Sequence, residues 1–327
     1  MKRLSLPRRI TILIGAVMAL ISMTGQAAAE NTSARSMAGE TCQPARYQSA
    51  GLTEHNIESN GRLRHFSLYV PRSYSGEKAM PVVFDLHATG ISPAIELKIT
   101  SLDKAAEENE FVTVMPAAVT DRGGGPTWNI PHQASGVDDV AFVEDVLERA
   151  NKLLCLDAKR VYATGFSGGA RFASELACRM PDHFAAIGAV GGLRHPAGAE
   201  GECKRGRHIV PIIAFHSTND PVNPYEHHPA RSPAHWTYGV DEALRRWTNW
   251  MGCATSAEEQ LSKNIIRFRY ADCKNGVSME FYRLSGTGHT WPGSSFAFSG
   301  DLGATEDEID ATALTLQFFE RYRLLSN

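Results

Sequence analysis

No internal repeat, low-complexity linker or block of like charges interrupts this chain of 327 residues, which excludes a solenoid or a string of small modules. Lys and Arg are scattered and the net charge is −3, so neither a nucleic-acid partner nor a basic membrane-binding patch is expected. The six cysteines contain no C-x-x-C spacing, which argues against a zinc site. The N-terminal apolar run, Ile10 to about Met23, stops short of the ~20 residues that a membrane-spanning helix needs.

That run has another reading. Lys2, Arg3, Arg8 and Arg9 precede it, and Gln26-Ala27-Ala28-Ala29 follows, with Ala27 and Ala29 at the spacing of an A-x-A cleavage site. Residues 1–29 are therefore expected to be a signal peptide, with the mature chain, 30–327, starting near Glu30. Its destination would be the periplasm or the outside of the cell, with no membrane attachment after cleavage. In an exported chain six cysteines read first as three disulfides.

Beyond a polar entry segment up to about Tyr47, apolar runs of strand length alternate with stretches of helical spacing. Strands are expected at 65–70, 80–86, 111–115, 160–164, 185–190, 209–216, 265–270 and 277–284. Helices are expected at 102–110, 138–154, 168–180, 239–251 and 309–325. The 138–154 segment has Val140, Phe142, Val143, Val146 and Leu147 on one face, with Asp138 and Asp139 at the end where the helix dipole favours anions. Strands separated by helices imply a single α/β domain with a mostly parallel central sheet and helices on both faces. The Pro- and His-rich stretch 221–236 lacks periodicity and reads as a surface excursion.

Chemistry concentrates in three places. Gly165-Phe166-Ser167-Gly168-Gly169 fits G-x-S-x-G, and it follows the strand Arg160–Thr164 and precedes a helix. That context turns a weak pattern into a nucleophile elbow, whose sharp turn needs small residues beside the serine. Partners should follow in the order acid, then base. Asp220, after the strand at 209–216, and His289, after the strand at 277–284, both fall at carboxyl ends of strands, where open α/β sheets keep their sites. His289 is the expected general base and Asp220 the residue that orients it, with Asp241 and Asp301 as reserve acids. The loop His87-Ala88-Thr89-Gly90 should supply an N–H from Ala88 or Thr89 to complete, with Gly168, an oxyanion hole. His87 reads as a support for that loop. His227, His228 and His235 form no trusted ligand spacing, so neither a metal nor an organic cofactor is expected.

Several segments in order, among them Leu68-Tyr69-Val70-Pro71, Asp85-Leu86-His87, Thr127-Trp128-Asn129, Val137 to Phe142, Arg160 to Gly169 and Gly288 to Gly293, resemble exported α/β-hydrolase esterases. These are the esterases grouped with feruloyl esterases, acetyl xylan esterases and poly(3-hydroxybutyrate) depolymerases. The resemblance covers nearly the whole mature chain and implies the α/β-hydrolase fold and the triad Ser167, Asp220 and His289. Two departures stand out: Ala88 replaces the family's usual Gly, and His216-Ser217-Thr218 replaces His-Gly-Thr. A Cβ at Ala88 would narrow the oxyanion loop or change which N–H donates.

On such a fold, Cys253 and Cys273 bracket the turn into the late strands and are expected to pair. Cys155 with Cys178 should meet at the lower edge of the sheet, leaving Cys42 with Cys203. Trp128, Trp236 and Trp291 are candidates to line a cleft for an aromatic acyl group or a sugar ring, the alternative being plain packing. The expected activity is hydrolysis of feruloyl or related plant cell-wall esters through an acyl-enzyme. Hydrolysis of hydroxyalkanoate oligomers is the alternative, and a non-catalytic binding protein or a peptidase on the same scaffold stands outside both.

Overall fold

Short apolar runs rich in β-branched residues form the centre of a ten-stranded sheet in the computed structural model, which describes residues 41–130, 136–195, 203, 206 and 208–324. The expected signal peptide lies outside the described residues. In chain order the elements are β1 (Gly51–Ser59), β2 (Arg62–Val70), β3 (Met80–Leu86), α1 (Pro93–Thr100), α2 (Leu102–Asn109), β4 (Val112–Pro116), β5 (Thr120–Asp121), β6 (Pro126–Thr127) and α3 (Asp139–Leu153). There follow β7 (Leu156–Phe166), α4 (Gly168–Arg179), β8 (Ala186–Val190), β9 (Ile212–Ser217), α5 (Val240–Met251), β10 (Thr255–Gln260), β11 (Ile265–Ala271), β12 (Met279–Leu284) and α6 (Ala311–Phe319).

The large sheet runs β1-β2-β4-β3-β7-β8-β9-β12-β11-β10. From β4 to β12 neighbours are parallel. Antiparallel strands close both flanks. Alternation along each central strand feeds two cores. Val161 and Ala163 of β7 pack with Phe142 of α3, Phe172 of α4 and Leu244 of α5. Tyr162 and Phe166 pack on the opposite face with Leu97 of α1, Ala106 of α2 and Leu316 of α6. Strands buried on both faces are the reason the central runs are almost continuously apolar.

Three elements escape the periodicity. β10 is exposed along its whole length and carries Thr-Ser-Ala-Glu-Glu-Gln, so only its ladder with β11 makes it a strand. β1 is the opposite edge, with few buried side chains. α1 opens on Pro93 and buries Glu96 as well as Leu97 and Ile99, so no clean polar face marks it. At the other end α6 stops at Phe319 rather than near 325. Tyr162 Oη donates to Tyr322 O at 2.8 Å and Leu324 N–H donates to Lys159 O at 2.9 Å, drawing the tail onto β7 in a non-helical path.

The disulfides correct two of the three expected pairs. Cys253–Cys273 forms as expected, but Cys42 pairs with Cys155 and Cys178 with Cys203. The cause is a short stretch of backbone pairing invisible in the sequence. Cys42 N–H donates to Glu77 O, and Met80 N–H donates to Cys155 O, so the approach to β3 places Cys42 beside Cys155. Cys178, buried on the α3–α5 face, is left to Cys203.

Candidate active site

β7 ends at Phe166 and α4 begins at Gly168, so the chain reverses within Ser167, which sits at φ 52° and ψ −109°. A non-glycine residue in that region costs roughly 1–3 kcal/mol and persists only where its surroundings over-determine it. They do here. Ser167 N–H donates to Val190 O at 2.8 Å. A Cβ on Gly169 would lie 1.7 Å from Leu86 O, and one on Gly165 2.6 Å from the same atom. Only glycine lets β3 press against the elbow this closely.

Asp220, on the loop after β9, and His289, on the loop after β12, are both buried. His289 Nδ1 donates to Asp220 Oδ2 at 2.6 Å, while Asp220 Oδ1 accepts the N–H groups of Val222 at 2.8 Å and Asn223 at 2.7 Å. Burial pushes the Asp220 carboxyl up, but the His289 hydrogen bond, the charges of His289 and His216 and the Asn223 N–H outweigh it. Its pKa therefore lies below the ordinary carboxylate value. With Nδ1 committed, Nε2 is the nitrogen of His289 that can take a proton. Asp241 is instead bound by Tyr225 Oη at 2.6 Å, so among the described residues Asp220 is the acid that meets His289. Ser167 and His289 line one cavity of 550 Å³.

The loop after β3 holds the opposite side. Ala88 N–H donates to Glu96 Oε2 at 3.0 Å, so it is spoken for, and the expectation of an oxyanion donor at Ala88 is corrected. Thr89 N–H makes no hydrogen bond among the described residues, and a Cβ on Gly168 would stand 2.9 Å from Thr89 N. Gly168 is the first residue of α4, so its own N–H has no acceptor within the helix. Two N–H-bearing segments thus face each other beside Ser167, which is what an oxyanion hole requires.

Glu96, not singled out in the sequence, and His87, expected to support the loop, brace this geometry. Glu96 Oε2 takes the Ala88 N–H and Oε1 takes the Phe166 N–H at 3.1 Å, tying the oxyanion loop to the nucleophile turn. Burial and the neighbouring Asp85 charge hold the Glu96 carboxyl well above its ordinary pKa. His87 accepts the Ala118 N–H on Nε2 at 3.0 Å and bonds Ala88 O through Nδ1 at 2.8 Å; burial lowers its pKa to about 4, so it stays neutral. A lone glutamate on a short helix gives no sequence signal of such a role. Its position depends on where α1 packs.

The three tryptophans are corrected from substrate contacts to packing residues. All are fully buried and none lines the cavity. Trp128 donates Nε1–H to His87 O at 2.8 Å and stacks on Phe172 with centroids 4.3 Å apart. Trp236 donates to Pro224 O at 2.7 Å, and Trp291 to Thr312 Oγ1 at 3.0 Å. Each ring buries its apolar body and satisfies its one N–H donor within the fold, as a packing tryptophan does. The cavity wall is built instead by smaller apolar groups, including Ile91, Ile95, Phe296 and Phe298, with Arg122 and Arg171 as its cations. Among the described residues no three His, Cys, Asp or Glu side chains lie close enough to hold a metal ion.

A serine on a strained strand-to-helix turn, with an aspartate and a histidine on later loops at the same edge of a mostly parallel sheet, defines the class: the α/β-hydrolase fold. The acetyl xylan esterase from Aspergillus awamori shares this fold at a TM-score of 0.59 and 13% identity, with 82% of this chain and 99% of that one covered. Residues 64–227 match the family described as Esterase PHB depolymerase, and the chain belongs to that family. Feruloyl esterase B of Piromyces equi is 26% identical over 224 residues, 67% of this chain but 41% of that protein. The bifunctional acetylxylan esterase/xylanase XynS20E of Neocallimastix patriciarum is 25% identical over 236 residues, 31% of its length. The chain therefore spans less than half of these two relatives. A probable feruloyl esterase C from Aspergillus clavatus is matched more fully: 26% identity over 279 residues, 83% of this chain and 89% of that one.

Proposed function

We propose that this chain hydrolyses carboxylic esters through an acyl-enzyme on Ser167. The observation that carries the reading is the His289–Asp220 hydrogen bond beside a serine held at positive φ in the same cavity. His289 Nε2 takes the Ser167 proton as Oγ attacks the acyl carbonyl, and Asp220 stabilises the imidazolium. The Gly168 and Thr89 N–H groups receive the oxyanion. His289 then protonates the departing alcohol, and a water deprotonated by the same nitrogen releases the acid.

The acyl group belongs against the wall of Ile91, Ile95, Phe296 and Phe298. An apolar wall containing phenylalanines suits a flat aromatic acyl group, and the feruloyl esterases among the relatives favour feruloyl or related plant cell-wall esters. The family name favours a second reading, hydroxyalkanoate oligomers. The deciding measurement is kcat/KM on methyl ferulate against a soluble 3-hydroxybutyrate oligomer, with Ser167→Ala as blank. A higher value on the ferulate supports the first reading; a higher value on the oligomer replaces it with the second. Hydrolysis of neither, together with no labelling of Ser167 by a fluorophosphonate, would end the esterase reading.

The mature domain is proposed to be 30–327, exported to the periplasm or beyond. Three disulfides suit an oxidising compartment. N-terminal sequencing of the exported protein should start near Glu30, and an intact Met1 would refute cleavage.

A further inference from the structure

Among the described residues that line it, the cavity carries cations and no carboxylate. Arg171 stands four residues after Ser167, one turn along the same face of α4. Its guanidinium lines the cavity, makes no hydrogen bond or ion pair among the described residues, and keeps its Nε buried without an acceptor. A half-buried cation without a partner is costly, and a purely structural arginine would have acquired one. Its charged neighbours do not help. Arg122 is held by neutral groups, Asn129 Oδ1 at 2.9 Å and Ile130 O at 3.2 Å, and Arg194 bonds Tyr238 O at 2.6 Å and Thr237 Oγ1 at 3.0 Å. No Asp or Glu is among the described residues that line the cavity.

The effect shows in the titrating groups. Burial, then the charges of Arg194 and Arg122, bring Arg171 down to about 10, still charged at neutral pH. Burial, then Arg171, Arg194 and His289, bring His235 down to about 4, so it faces the cavity as a neutral ring bonded to Asn223 Oδ1 at 3.1 Å.

The fold sorts these groups by side. Ile91, Ile95, Phe296 and Phe298 pack onto the core beneath α1, α2 and α6. Arg171 is on α4, flanked by Ala170 and Phe172 of the opposite core, and Arg122 bonds Ile130, which packs on that same core. The cavity thus straddles the carboxyl edge of the sheet, apolar over one face and basic over the other, with Ser167 at the end of β7 between them.

We infer that the site takes esters carrying a free carboxylate, which Arg171 receives on the side of Ser167 away from the apolar wall. The inference rests on the esterase reading above and narrows its substrates. Guanidinium matches a carboxylate with two parallel hydrogen bonds, and among the described residues the side-chain donors of Arg171 have no protein acceptor. The same chemistry could come from a hydroxyacid oligomer with a free carboxyl end or from a saccharide ester bearing a uronic acid.

The test uses matched pairs at pH 7.5: a linear 3-hydroxybutyrate trimer as free acid and as terminal methyl ester, and a feruloylated oligosaccharide with and without a uronic acid. Active sites are titrated with a fluorophosphonate, so the ratio within each pair is independent of any misfolded fraction. The enzyme should prefer the acid of at least one pair by about tenfold or more, as for a hydrogen bond to a charged group. That ratio should fall towards one in Arg171→Met, survive in part in Arg171→Lys, and shrink with added salt. The pair that shows it identifies the source of the carboxylate. Equal rates within both pairs, or a preference unchanged in Arg171→Met, overturn the inference while leaving ester hydrolysis standing. No hydrolysis of any of the four substrates would instead remove the reading on which it rests.

Discussion

The two ends of β7 treat charge in opposite ways. At its amino end, Asp157 receives Arg160 Nε at 2.6 Å, Arg323 Nη2 at 2.9 Å and the Lys159 N–H at 2.9 Å, and the pairing pulls its carboxyl below the ordinary value although burial alone would raise it. Next to it, Cys155 is bonded to Cys42. At its carboxyl end the backbone is strained at Ser167, and among the described residues Arg171 has no counter-charge and Asp85 Oδ1 in the adjoining β3 no hydrogen bond. One end is satisfied and holds the fold. The other carries backbone strain and polar groups left unsatisfied among the described residues, so stability and activity should respond separately to changes at the two ends.

Four measurements sharpen or break that contrast. The largest effect belongs to the carboxyl end: Ser167→Ala should lower kcat roughly 10⁴- to 10⁶-fold while unfolding much as wild type does, because alanine keeps the Cβ and with it the same backbone strain. A loss under tenfold in steady-state assays would show that the serine is not the nucleophile.

At the amino end, the paired Cys42→Ser and Cys155→Ser variant opens a link across a sequence separation of 113 residues. In the chain-entropy model this costs about 5 kcal/mol, against about 3 kcal/mol for the Cys253–Cys273 link. Urea unfolding should show that order, with kcat/KM per labelled active site unchanged. A variant that folds stably but turns over slowly would mean that the amino end also shapes the site.

A smaller effect concerns pH. Burial raises the Asp85 carboxyl from 3.8 to about 7, against the Thr100 hydrogen bond, with Asp103 adding to the rise. Because the folded value lies above the unfolded one, the contribution is complete below about pH 4 and is lost as pH climbs through about 7. Asp85→Asn should remove it. The stability of wild type relative to this variant should therefore fall by about 2–3 kcal/mol between pH 5 and pH 8, and a flat difference would mean that the carboxyl is not held protonated. Smallest is Arg323→Ala. Its side chain is 41% exposed and Asp157 keeps Arg160, so the change should stay near 0.5 kcal/mol in denaturant titrations.

Much of this was legible beforehand because local chemistry dictated it. The run Met80–Leu86 became β3 without change of boundary, and the glycines around Ser167 announced a turn that no larger side chain could make. Asp220 and His289 were legible through chain order and position after strands, and they meet at 2.6 Å. Three things were not legible. β10 has no apolar pattern, since its partner strand alone holds it. The tryptophans read equally as cleft or as packing, because an aromatic residue has the same letter in a core as in a wall. Ala88 could not be separated from Thr89 until Glu96 was seen to occupy the Ala88 N–H.

The sequence by itself determined the alternation of strands and helices, the elbow at Ser167 and the order of its partners, because these follow from side-chain period, backbone sterics and the direction of the chain. The tertiary structure alone decided which cysteines meet, which N–H beside Ser167 stays free, and that the cavity is apolar over one face of the sheet and cationic over the other. Those depend on distances between segments far apart in the chain, set by how the helices pack on each face and not by any residue's nearest neighbours.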